Sequence, residues 1–126
     1  MDIKKVDILG QRYKVSTKTP KGLTPEMVEA HYGHCDREAS VIWINGKLNA
    51  EHKYRTLFHE MGHATFYRSG VSFSGAVPHE LEEILVEVFA SQQYEFMREY
   101  VKGLLKYEPT EIKKRLLAFI SEDGRA

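Results

Sequence analysis

The sequence predicts an α+β fold in one domain, residues 1–126: a small antiparallel sheet, made of an N-terminal hairpin and an edge strand at 41–44, packed on a mid-chain helix and a long helix with an acidic end. Three observations predict it. Apolar residues alternate between Ile3 and Val15 and then run unbroken through Val41-Ile42-Trp43-Ile44, the two patterns that strands leave in a sequence. From residue 50 onward the apolar spacing changes to three and four, with breaks at 70–78 and 107–109, as amphipathic helices require. A chain of 126 residues is long enough to bury a core without crosslinks, and its single cysteine, Cys35, leaves no partner for an intramolecular disulfide.

Taken in order, Ile3, Val6, Ile8 and Leu9 face Tyr13 and Val15 across Gly10-Gln11, a hairpin in which Gly10 supplies the positive φ of a tight turn. Residues 18–22 are a polar connector. Thr24-Pro25-Glu26 carries the N-cap, first-position proline and first-turn acid of a short helix ending near Tyr32-Gly33. His31, His34 and Cys35 then read as turn or surface residues, since a His-x-x-His-Cys cluster lacks a fourth metal partner. The strand Val41-Ile42-Trp43-Ile44 is followed by an Asn45-Gly46 turn. As an edge strand beside the next helix, it can pair with an extended peptide.

That helix spans 50–69, with Asn49 as N-cap and Gly70 as stop. Residues 71–77, rich in Gly and Ser, read as a mobile loop. Pro78 opens a long helix over 79–106 whose apolar arc takes in Leu85, Val86, Phe89, Ala90, Phe96, Met97, Tyr100, Val101 and Leu104. Glu108-Pro109 breaks it, a last helix over 110–120 turns Leu116, Leu117 and Ile120 inward, and 121–126 fray.

The chemistry concentrates in His59-Glu60-Met61-Gly62-His63. On a helix, His59 and His63 are one turn apart on one face with His52, Thr56 and Tyr67, while Tyr54, Leu57, Phe58, Met61, Ala64 and Thr65 lie opposite. Two imidazoles at i and i+4 can hold one Zn2+ ion, and Glu60, turned aside from that axis, is placed as a general base for a water molecule. Gly62 lets another segment come close.

The third ligand comes from the acidic turns of the long helix, at Glu80, Glu82, Glu83 or Glu87. With Leu81 at zero, Glu83 falls near about 200° and Glu87 near about 240°, Glu80 near about 260° and Glu82 near about 100°. Glu83 is assigned because Glu87, one turn on, can accept the free N–H of a ligating histidine, whereas Glu82 is followed by Val86. Glu82 faces inward as its rival. His52, Tyr67, His79 and Tyr94 are open alternatives for donating to a carbonyl oxygen that gains charge.

Equal numbers of basic and acidic residues, 18 each, give no footprint for nucleic acid or an anionic membrane. Met1 to Gly10 has no apolar signal core, and no run approaches the roughly 20 apolar residues of a membrane span. A cytoplasmic protein is expected. Nothing in the sequence sets an oligomeric state.

The strand 41–44, the segment Thr56-Leu57-Phe58-His59-Glu60-Met61-Gly62-His63-Ala64 and the segment Glu82-Glu83-Ile84-Leu85-Val86-Glu87-Val88-Phe89-Ala90 together resemble small gluzincin-type zinc metallopeptidases, closest to the ImmA/IrrE-like kind common in phages and mobile elements. The resemblance implies a minimal zincin-like fold, one zinc per chain on His59, His63 and a glutamate, catalytic Glu60, and hydrolysis of a peptide bond in a protein substrate. The chain departs from that family in carrying Glu87 where Asn or Asp is common, in lacking a Leu-Leu-Met-Pro-like run, and in showing no helix-turn-helix. The rival expectation is a non-catalytic interaction or regulatory protein of a mobile element with a structural or vestigial zinc site. Glu60 separates the two, since a closed structural site needs four protein ligands and no base.

Overall fold

The structure, a computed structural model, describes residues 1–73 and 75–120. Its sheet has four strands, β1 (Lys5–Ile8), β2 (Gln11–Ser16), β3 (Gly33–Asp36) and β4 (Val41–Ile44), in the order β1-β2-β4-β3. The β1–β2 hairpin turns at Leu9 and Gly10, both with positive φ (46° and 85°), the backbone of a two-residue turn whose twist suits paired strands. Helix α1 (Pro25–Ala30) starts where expected, with the Thr24 hydroxyl accepting from Met27 N. Among the described residues, three helices follow β4, α2 (Ala50–Arg68), α3 (His79–Leu104) and α4 (Pro109–Phe119), with a 3-10 turn at Val71–Phe73. The fold class is α+β as expected; residues 121–126, expected to fray, lie outside the described residues.

Two features of the sheet correct the expectation. It is mixed, because β2 and β4 run parallel, and β4 is an interior strand between β2 and β3. The edge next to α2 belongs to β3, in the stretch expected to be a turn. The pattern of β4 accounts for its place. Ile42 and Ile44 are fully buried and Trp43 nearly so, and four successive apolar residues suit a strand covered on both faces better than an edge. The β3–β4 turn is closed by Asp36 Oδ1 accepting from Ala39 N at 3.0 Å, with Ser40 at φ 55°.

The core lies between one face of the sheet and α2. Ile8, Tyr13, Val15, Cys35, Ile42 and Ile44 meet Leu57 and Ala64 there. At the end of β4 the Asn45 side chain donates to the carbonyls of Val28 and His31 at 2.7 and 3.0 Å and accepts from Lys47 N. It thereby ties the end of α1 to the turn ahead of α2. Burial pushes the Cys35 thiol up to about 12, so at pH 8 the native protein should react with a thiol reagent about 1000-fold more slowly than the unfolded chain. Labelling at similar rates with and without denaturant would contradict this.

The chain divides into two compact units, Met1–Tyr94 and the residues from Glu95 onward, and α3 contributes to both. Of the apolar arc expected on α3 only Val86 and Ala90 are buried, while Leu85, Phe89, Phe96, Met97 and Val101 are exposed. Leu116, Leu117 and Ile120 of α4 are likewise exposed instead of facing inward. No helix among the described residues is long and apolar enough to cross a membrane.

Candidate metal centre

The N-terminus of α2 is fixed by the Asn49 side chain accepting from His52 N at 2.9 Å, a cap worth about 1 kcal/mol. With the helix in that phase, His59 and His63 turn their rings toward α3, and Glu60 turns toward β3. Close approach on both sides depends on two glycines. A Cβ on Gly62 would sit 2.9 Å from Val86 Cγ1, and a Cβ on Gly33 would sit 2.7 Å from both Thr56 Cγ2 and Trp43 O and 3.5 Å from Glu60 Cγ. The first glycine lets α3 lie against α2. The second lets α2 rest on the sheet edge with Glu60 over β3.

At the α2–α3 contact, three carboxylates surround two imidazoles. His59 Nε2 and His63 Nε2 lie 3.2 Å apart. Glu83 spans them, with Oε1 3.0 Å from His63 Nε2 and Oε2 3.3 Å from His59 Nε2. The outer nitrogens are also taken: His59 Nδ1 lies 2.7 Å from Glu87 Oε2 and His63 Nδ1 lies 2.7 Å from Glu82 Oε2. Each ring thus has a carboxylate at both nitrogens; with a metal on the Nε2 side, a neutral ring would carry its proton on Nδ1, toward Glu87 or Glu82.

Two imidazole nitrogens and a carboxylate converging within about 3 Å are held together by shared protons or by a metal cation among them. Zinc–ligand bonds of about 2.0 to 2.1 Å in a tetrahedron place neighbouring donors about 3.3 Å apart, close to the three separations found here. His59, His63 and Glu83 thus form a group able to hold a metal ion.

Glu82, the inward-facing rival, holds His63 from behind. It is buried, and besides His63 it accepts from Ser72 Oγ at 2.8 Å and from Arg37 at 3.3 Å. Burial pushes its carboxyl up, but the hydrogen bonds from His63 and Ser72 and the charges of His63 and Arg37 outweigh that and hold it below the usual range. Arg37, Ser72 and the Glu82–His63 contact were not legible in the sequence, apart from the inward phase of Glu82. Because Glu82 and Glu87 orient the two rings, replacing either with Ala should weaken zinc binding by about 10- to 100-fold, whereas Glu80→Ala should do little. A competition titration against a chelator of known affinity reads the three variants. An unchanged affinity in both Glu82→Ala and Glu87→Ala would mean the rings are held by something else.

Glu60 is 7% exposed and lines a cleft of about 870 Å3 together with His59, His63, Glu83 and all four residues of β3. Burial raises its carboxyl pKa, the charges of His59, His63 and His34 lower it in part, and Glu83 adds to the rise. Among the described residues no hydrogen bond occupies the Glu60 carboxylate, which leaves its lone pairs for whatever enters the cleft. His52 and His79 also line the cleft, His79 Nε2 lying 4.0 Å from Glu83 Oε1. Tyr67 and Tyr94 pack instead under the guanidinium groups of Arg37 and Arg55, at 5.5 and 4.9 Å. His34, set aside as a turn residue, is on β3 in the cleft wall and acts electrostatically on Glu60.

No protein family, no curated protein and no solved structure matches this chain.

Proposed function

We propose that the protein is a zinc-dependent endopeptidase, as its resemblance to gluzincin-type metallopeptidases implies, acting on a protein or peptide substrate. The observation that carries this reading is the convergence of His59 Nε2, His63 Nε2 and the Glu83 carboxylate beside the buried, unengaged carboxylate of Glu60. His59, His63 and Glu83 would hold the zinc, which when bound would supply the Lewis acidity that polarises a carbonyl and acidifies water.

The chain's own residues do the rest. Glu60 accepts the proton of the attacking water and delivers it to the amine nitrogen as the peptide bond breaks. Its burial favours this exchange, since a carboxylate held out of water binds a proton more readily. His52 and His79 face the same cleft and are the side chains placed to donate toward the carbonyl oxygen. The carboxylates of Glu82, Glu83 and Glu87, with Arg37 the one guanidinium among the described residues paired into them, favour a dication over an anionic ligand.

Substrate alignment falls to β3, in place of the β4 edge expected from sequence. Asn45 N donates to Tyr32 O, and in the β3–β4 register Tyr32 and Asn45 continue the ladder of His34 and Trp43. Hydrogen-bonded pairs alternate in an antiparallel ladder, so the main-chain groups of Gly33 and Cys35 point to the open edge. An extended peptide laid along that edge gains backbone bonds at every second residue. Methylating alternate amides of a bound peptide should therefore weaken binding to the zinc-loaded protein by about 10-fold or more, and methylating the intervening amides should not. Equal sensitivity at every position, read by calorimetry, would remove β3 from the account.

The direct test of the reading is hydrolysis of a denatured protein by the zinc-loaded chain, abolished by a chelator and restored by zinc. Zinc binding without cleavage of any unfolded substrate would favour the interaction-protein alternative.

A further inference from the structure

The second unit poses a problem of its own. It is a helical hairpin, the C-terminal part of α3 followed by α4, and among its described residues none is buried. Its helices touch through Tyr100, whose ring lies 5.5 Å from that of Phe119 and 6.3 Å from that of Phe96. Phe96 (62%), Leu105 (73%), Phe119 (65%) and Ile120 (68%) are nevertheless mostly exposed, and Met97, Val101, Tyr107, Leu116 and Leu117 are exposed as well. Two helices cannot enclose a core, and units under about 40 residues generally need metal, disulfides or association to hold together.

We propose that this hairpin is a self-association surface, on which two copies of the chain pair their 95–120 hairpins into a four-helix layer. The area fits that occupant. Nine large apolar side chains, 39% to 73% exposed and spread over both helices, leave on the order of 900 Å2 in water in total, so that covering most of them reaches the about 800 Å2 per partner of a standard interface.

The charges fit it too. Lys102 pairs with Glu99 and Arg115 with Glu111 within their own helices, and Arg115 also lies 3.9 Å over the Tyr107 ring. Those four ionic groups are engaged within the hairpin, while Arg98, Lys106, Glu108, Lys113 and Lys114 lie exposed among the apolar side chains and suit the polar rim of an interface. Residues 95–120 hold six basic and four acidic side chains, a small excess that salt screens.

A seat is present as well. Between the two helices a groove of about 710 Å3 runs past Gly103 and Ala118, and open space lies where a Gly103 Cβ would be. Side chains from a facing helix can enter there, as bundle packing demands. A pairing of identical hairpins is closed by a twofold axis, which accounts for a finite apolar face on one short unit.

Sedimentation equilibrium on the full chain, from about 5 to 200 µM, tests this, since self-association follows mass action. The expected limit at high concentration is about 29 kDa, twice the 14.6 kDa of one chain. Phe96→Glu combined with Leu117→Glu, both at exposed positions, should raise the dissociation constant by at least about 100-fold. Hydrogen exchange on the unsubstituted protein gives a readout without any variant: amides of 96–120 should be more protected at high concentration than after dilution. A monomer throughout that range, a dimer indifferent to both substitutions, or protection of 96–120 independent of concentration would each overturn the proposal.

Discussion

Glu60→Gln is expected to keep zinc and fold and to lose hydrolysis by at least about 100-fold. Glutamine has the shape of glutamate, so the packing of residue 60 over Gly33 survives the change. What disappears is the proton acceptor. The side chain is buried and no hydrogen bond among the described residues holds it, so removing its charge breaks no ion pair, and burial already disfavours the charged form. A stability equal to or above that of the parent is therefore expected, read as an unchanged or raised melting temperature. Full activity in Glu60→Gln would send the base elsewhere. Loss of zinc from it would show Glu60 to be a ligand, and the site to be closed and structural.

The second large effect is on metal content. Replacing His59, His63 or Glu83 with Ala removes one of three donors and should weaken zinc binding by more than the about 10- to 100-fold expected for the carboxylates behind the rings. His63→Ala should be the more damaging of the two histidine changes. It leaves Glu82 buried at 3% exposure with only Ser72 and Arg37 to satisfy it, whereas His59→Ala frees Glu87, which is two-thirds exposed. Elemental analysis after gel filtration reads the stoichiometry. Close to one zinc per chain in all three variants would end the assignment.

What could be read from the sequence, and what could not, follows from the range of the interactions. Helix α2 was legible to within a residue because its signals are local: Asn49 caps the first turn, and the helix stops at Ser69. Helical phase alone left Glu82 as a rival to Glu83; the i+4 spacing of Glu87 singled out Glu83, which lies against both histidines with Glu87 behind His59. Glu82 was harder, since phase turned it inward without saying toward what. It meets His63 because Gly62 lets Val86 settle against α2, drawing the α3 face that carries Glu82 and Val86 onto the ring.

The sheet order was out of reach by local argument. The parallel pairing of β2 with β4 joins Lys14 to Val41, across a stretch holding α1 and β3. His34 and Cys35 read as turn or surface residues because a His-x-x-His-Cys cluster lacks a fourth metal partner, yet β4 recruits them as its outer neighbour. The apolar arcs of α3 and α4 were visible as patterns. Periodicity records that a face is apolar and says nothing about whether the covering surface belongs to the same chain.

The most direct test of the central claim, that two Nε2 atoms and a carboxylate hold one zinc with a position left open, is X-ray absorption at the zinc edge of the loaded protein. The account predicts about four nitrogen or oxygen neighbours at about 2.0 to 2.1 Å, multiple scattering from two imidazoles that falls to one in His59→Ala, and no sulfur. A thiolate sulfur at about 2.3 Å, for which Cys35 is the one cysteine of the chain, or a spectrum unchanged by His59→Ala, would contradict it.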